Sequence, residues 1–191
     1  SRIEKELEDG VEYWLLERTL CKALSSSSSS EVVCVASDVL RAVRLKSFDY
    51  RVLNLLLYRL RDEEVNEVHF NFLKTSELLV EISDDLYFEH SISQEDVVDN
   101  SFNILRMFVS LYGAKTAPAK LASLISEIER EYENLVKQLE PGLAARYQKR
   151  CEEAVKEGGS NSKHLLGCWT IPHIIQDEAA YRSSVNREAI E

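Results

Sequence analysis

Apolar residues recur at three- and four-residue steps along almost the whole chain, the spacing that lines one face of an α-helix. The first run holds Ile3, Leu7, Val11, Trp14, Leu15 and Leu20 and ends at the serine run Ser25–Ser30. With no apolar anchor, that run reads as a flexible loop. Helix resumes over Val35–Leu45. Ser47 then offers an N-cap to "SFDYRVLNLLLYRL", where Val52, Leu53, Leu55, Leu56, Leu57 and Leu60 go most of the way round. An apolar circumference predicts a central, buried helix.

From Glu63 a longer helix carries Val65, Val68, Phe72, Leu79, Ile82 and Leu86 on one stripe. The pair Ser93 and Asp96 has capping-box spacing and opens a helix that runs through Phe102, Leu105, Phe108, Val109 and Tyr112 to stop at Gly113. Pro118 starts another, with Leu121, Leu124, Ile125, Ile128, Tyr132 and Leu135 on its core side, and Pro141 opens one more that Gly158-Gly159 closes. The rest is less regular: an extended apolar piece at Trp169–Ile175, placed to fold back over the bundle or reach a partner, and a short helix near Asp177–Ser183. No stretch alternates long enough to require a strand. The expected fold is therefore all-α, an antiparallel bundle of about seven to eight helices in one domain. It divides into an N-terminal helix (1–24), a serine loop (25–31), a helical core (32–159) and a C-terminal arm (160–191).

Composition narrows the function classes. The chain of 191 residues is 45% hydrophobic and 29% charged, ordinary for a folded domain. Its formal charge of −10 argues against binding nucleic acid or anionic lipid, which need a basic footprint. Cys21, Cys34, Cys151 and Cys168 form no CxxC pair, so they read as reduced thiols in a reducing intracellular compartment, cytoplasm or plastid. No apolar run is long enough to span a membrane.

Candidate chemistry gathers in one interval. Between Lys74 and Arg106 there is no Lys or Arg, but eight acids: Glu77, Glu81, Asp84, Asp85, Glu89, Glu95, Asp96 and Asp99. Asp96, Asp99 and Asn100 suit the start of a helix, where the dipole favours negative charge. Asp84, Asp85 and Glu89 do not, because they crowd charge onto the opposite end of the preceding helix. A cation would relieve them, and Mg²⁺ is the natural one, since it takes one or two carboxylates and bridges to phosphates. If the two helix ends meet, both acidic groups could share one cation. His90 beside Glu89 is the suggestive histidine, since His69, His164 and His173 show no metal spacing. Cys168 and His173 are close in sequence but belong to no nucleophile motif.

"SDDLYFEH", at the end of an apolar helix, resembles the aspartate-rich motif of class I isoprenoid (terpenoid) synthases. Together with "FDYRVLNLLLYRL", "NSFNILRMFV", "LYGAKTAPA" and "YQKRCEEA" it is similar to uncharacterised plant proteins grouped with that superfamily by fold, over roughly Phe48–Gly159. The resemblance implies an isoprenoid-synthase-like fold. It also implies Asp84 and Asp85 as Mg²⁺ ligands holding a prenyl diphosphate, with Glu89 as a looser third. The diphosphate would ionise in an apolar cavity lined by Tyr58, Phe72, Phe88 and Phe108. The chain departs from the family in two ways. Phe88 stands four residues after Asp84, where an acid is expected, and the second metal motif of Asn or Asp, Ser or Thr, and Glu is absent. The "RY" pair Arg146-Tyr147 is too short to compensate. The reading these features favour is a protein of this fold without complete catalytic machinery, acting through a protein partner. The alternatives are a Mg²⁺-dependent prenyl diphosphate enzyme and a plain helical homo-oligomer.

Overall fold

The computed structural model describes residues 1–25, 34–86, 92–157 and 169–188. Helices account for nearly all of them, with no strand among the described residues: α1 (Arg2–Ser25), α2 (Ala36–Leu45), α3 (Phe48–Leu60), α4 (Glu67–Asp85), α5 (Ile92–Asp99), α6 (Ile104–Tyr112), α7 (Ala117–Val136), α8 (Pro141–Glu157) and α9 (Glu178–Glu188). None is long and apolar enough to cross a membrane. Most of the serine run, from Ser26, lies outside the described residues.

One expected helix is two. The stretch from Ser93 to Gly113 breaks because Asn100 takes a left-handed backbone (φ 56°) after α5. Asn103 then caps a fresh start, its Oδ1 accepting the backbone N–H of Leu105 and Arg106. Gly113, at φ 75°, ends α6 as its position in the sequence suggested.

The core lies among α2, α4, α6, α7 and the inner side of α1. Val39, Ala42 and Val43 of α2 meet Leu78, Leu79 and Ile82 of α4 there, and α7 adds Leu121, Ile125 and Ile128. The buried helix is α6, in which Ile104 through Phe108 are all inaccessible. That corrects the reading of α3 as the central helix, since α3 buries only Arg51 and Leu55. Contacts at both ends show α4 and α7 running past each other in opposite directions, with Glu140 just beyond the end of α7. His69 meets Glu140 at 2.9 Å early in α4, and Thr75 meets Glu131 at 3.4 Å further on. Trp169, Ile171 and Ile174 fold back onto the core, and Trp169 Nε1 donates to Glu129 Oε1 at 2.7 Å.

Candidate functional site

Two places in the molecule stand apart from ordinary helix packing. The first is the C-terminal end of α4, where the sequence placed its acidic motif. Asp84 and Asp85 diverge there: Asp84 is exposed, whereas Asp85 is 2% exposed. Lys46, just past the end of α2, donates to Asp85 Oδ1 at 2.8 Å and reaches Glu81 Oε2 at 3.1 Å. The other carboxylate oxygen, Oδ2, accepts the backbone N–H of Ile104 at 2.7 Å, the first residue of α6. The charge that looked misplaced at the end of one helix thus rests against the positive end of another.

Asn103 ties this arrangement to α5. Its Nδ2 donates to the backbone carbonyl of Asp85 at 2.8 Å and to Asp96 Oδ2 at 2.9 Å, while its Oδ1 caps α6. The acidic ends of α4 and α5 do meet, bridged by Asn103, and the cation paired with the α4 acids is the Lys46 ammonium. Burial pushes the Asp85 carboxyl up to about 6, against the opposing pull of Lys46 and the Ile104 N–H, so it remains ionised at neutral pH. Burial likewise raises Asp96, opposed by Asn103, Lys46 and Arg106. For Lys46 burial works the other way, but Asp85 and Glu81 outweigh it and hold the ammonium well above its usual range.

Arg106, which closes the acid-only interval, is buried and fully engaged. Its guanidinium grips both carboxylate oxygens of Glu178 on α9 at 2.8 Å, and also holds the carbonyls of Asp96 and Ser101. Arg182 joins from α9, donating to the Val97 carbonyl at 2.7 Å. The cations missing from the interval are therefore supplied from outside it, by Lys46, Arg106 and Arg182.

Of the three residues proposed as metal ligands, then, one faces solvent and one is held by protein donors on both oxygens. Glu89 lies outside the described residues, as do His90, His164 and Cys168. No group of three or more His, Cys, Asp or Glu side chains positioned for a metal occurs among the described residues. A Mg²⁺ ion at Asp85 would have to displace the Lys46 ammonium. The proposed cavity wall is also filled: Phe72 packs on Tyr132 and edge-on to Tyr147 at 4.7 Å, and Phe108 packs on Tyr112. Phe88 is outside the described residues.

The second place is the outer side of α1 and α3. These helices run antiparallel, since Glu6 meets Arg51 while Gly10 and Trp14, further along α1, meet Phe48 at the start of α3. Gly10 permits the close approach, because a Cβ there would run into the Phe48 ring. Beneath them Arg51, 2% exposed, donates to Glu6 Oε2 at 2.6 Å and to the carbonyls of Arg44 and Leu45 that end α2. With Arg51 and Leu55 turned inward, the other leucines of α3 are turned outward. Tyr50, Leu53, Leu56, Leu57 and Leu60 are all exposed, Leu60 at 82%. Leu7, Val11, Trp14 and Leu15 of α1 continue the surface, with Trp14 at 55%. The apolar circumference of Leu53, Leu56, Leu57 and Leu60 predicts a buried helix, yet all four face outward.

The comparisons with known proteins add no identity to this geometry: no family model matches the chain, and neither a curated relative nor a similar solved structure is found.

Proposed function

We propose that the chain is a helical interaction module that works through the apolar face of α1 and α3. On this reading it has an isoprenoid-synthase-like bundle without complete diphosphate machinery. The observation that carries the proposal is the exposure of nine large apolar side chains on two packed helices. Isolated exposed leucines are ordinary, but a contiguous patch this large on a protein surface marks a contact site. The incomplete machinery is supported by the fate of the aspartate pair. Lys46 and the α6 N-terminus already take up Asp85, which leaves Asp84 alone at the surface.

Two measurements test the reading. A fluorescent apolar dye should bind the native chain at high dilution, where any partner has dissociated, and lose most of its signal in Leu53→Glu/Leu57→Glu, with the helical spectrum unchanged. Inorganic pyrophosphate with Mg²⁺, both at millimolar concentration, should leave that temperature where it was. A rise of several degrees that disappears in Asp84→Asn would overturn the proposal in favour of metal-dependent diphosphate binding.

A further inference from the structure

We infer that the α1–α3 face is occupied by a second copy of the same chain, laid antiparallel about a two-fold axis beside Val11. This rests on the reading of the face as an interaction surface and names what covers it. Size is the first argument. Nine large apolar side chains, most about half exposed, present on the order of 900 Å², well above the ~300–600 Å² of the largest patch on a typical monomer. A standard interface takes roughly 800 Å² from each partner.

Charge placement is the second argument, and it selects the partner. Glu4, Val11 and Arg18 are spaced seven residues apart and so share one stripe of α1, with Leu7, Trp14 and Leu15 between them. The stripe is acidic at its start, apolar in its middle and basic at its end. Turned end for end about Val11, it is its own complement. Glu4 then faces Arg18 of the second copy, Leu7 faces Leu15, and Val11 meets itself, as a two-fold interface requires. Both charged residues are exposed. Arg18 makes no ion pair among the described residues, and Glu4 meets the Ser1 amino group in an exposed pair that rearrangement can replace.

The outer stripe of α3 enlarges the face: Tyr50, Leu53, Leu57 and Leu60 follow the three-four-three spacing of a coiled-coil seam. On α1, acid-first, base-last order also suits the helix dipole, but the dipole has no use for an exposed apolar centre. Because Phe48 lies level with Gly10 and Trp14, α3 leads away from the axis on one side and widens the apolar surface of each copy, with Trp14 and Tyr50 as aromatic anchors.

Sedimentation velocity of the full chain from about 0.01 to 100 µM tests the inference, because interfaces of standard size reach from micromolar to far tighter affinity. A reversible dimer is expected. Val11→Glu, which places two like charges at the axis, should leave a monomer with an unchanged helical spectrum and a melting temperature that no longer rises with protein concentration. Arg18→Glu alone should raise the dissociation constant about tenfold, and Glu4→Arg combined with Arg18→Glu should restore it, since the swap rebuilds both pairs. A monomer at every concentration overturns the second copy as occupant. If that monomer still binds the dye through Leu53 and Leu57, the interaction face itself stands and its partner is another protein. A dimer indifferent to Val11→Glu, or one that the double reversal fails to restore, overturns the proposed register.

Discussion

At the C-terminal end of α4 a buried carboxylate meets a part-buried ammonium and a helix N-terminus, whereas on the outer side of α1 and α3 large apolar side chains face water. Each region inverts the usual rule of polar outside and apolar inside, but the inversions are not equivalent. Around Asp85 each charge has a partner within the chain, so the network is complete and asks nothing of a ligand. On α1 and α3 the apolar surface has no counterpart among the described residues. Folding accounts for the first region and not for the second. Function is best sought where folding leaves a need unmet.

The strongest way to break this comparison is to remove Asp85. Asp85→Ala leaves Lys46 with Glu81 alone and orphans the buried Ile104 N–H, and should cost about 2–3 kcal/mol of unfolding free energy. Asp85→Asn can still accept from Ile104 and should lose less. Replacing both partners, as Asp85→Leu with Lys46→Met, should recover part of the loss, with the Ile104 N–H and the part-exposed Glu81 carboxylate as the remaining costs. Urea midpoints for the four proteins check the order. An Asp85→Ala chain as stable as wild type would show that the network is not structural, and would reopen Asp85 to a ligand.

The second test acts on the seam that aligns the apolar helices. Gly10→Ala should destabilise despite alanine's higher helix propensity, because the new methyl meets the Phe48 ring where α1 and α3 touch. Overpacking of this kind costs about 1–3 kcal/mol, from which roughly 1 kcal/mol of propensity is returned. In a Phe48→Leu background the penalty should shrink, which a double-mutant cycle measures as coupling. Independent effects would mean that this contact does not set the α1–α3 spacing.

The same contrast explains which features could be read from sequence. Helical period, Gly113 and the prolines at the starts of α7 and α8 are local signals, and the all-α architecture followed from them. The orientation of α3 was not legible, because Val52, Leu53, Leu55, Leu56, Leu57 and Leu60 leave it apolar on both sides. Arg51 decides which side goes in, and its partner Glu6 is 45 residues away. Arginine amid leucines was the available signal, but it reads as an outward residue until the partner is known. Asp85 posed the same difficulty, with Lys46 39 residues away and Ile104 19. Its charge was correctly recognised as unfavourable for α4 alone, and the remedy lay in α2 and α6. Asn103 within "DNSFNIL" has the residue type of an N-cap, but the apolar period running on to Tyr112 predicts one continuous helix across it.

Between the two regions sits Glu77, held by Asn54 of α3 at 2.9 Å, with its Oε2 buried and unpartnered among the described residues. Burial pushes its carboxyl from 4.5 up to about 7, opposed by Asn54 and Arg51. The folded state therefore keeps a proton that the unfolded chain has already released. Stability from this group is fully present below about pH 4.5 and is lost as pH rises towards 7. With part of the side chain still reached by solvent, the loss should be about 1 kcal/mol. Glu77→Gln retains the Asn54 bond and removes the titration, so its stability should fall less than that of wild type between pH 5 and 8. Parallel profiles for the two proteins would show that Glu77 does not titrate in this window.

The smallest effect separates the two neighbours of the acidic motif most sharply. Asp84 is exposed at the C-terminal end of α4, where a negative charge faces the negative end of the helix dipole. Asp84→Asn should therefore leave stability unchanged or raise it by a few tenths of a kcal/mol. If Asp84 and Asp85 were a matched pair of metal ligands, they would share one environment and repel each other, and neutralising either should stabilise the metal-free protein. The structure divides them instead between solvent and a buried ion pair, so neutralising one is expected to be nearly silent and the other costly. Denaturation of Asp84→Asn beside Asp85→Asn reads that difference directly. Equal and favourable shifts in both would restore the paired motif as the better description of this end of α4.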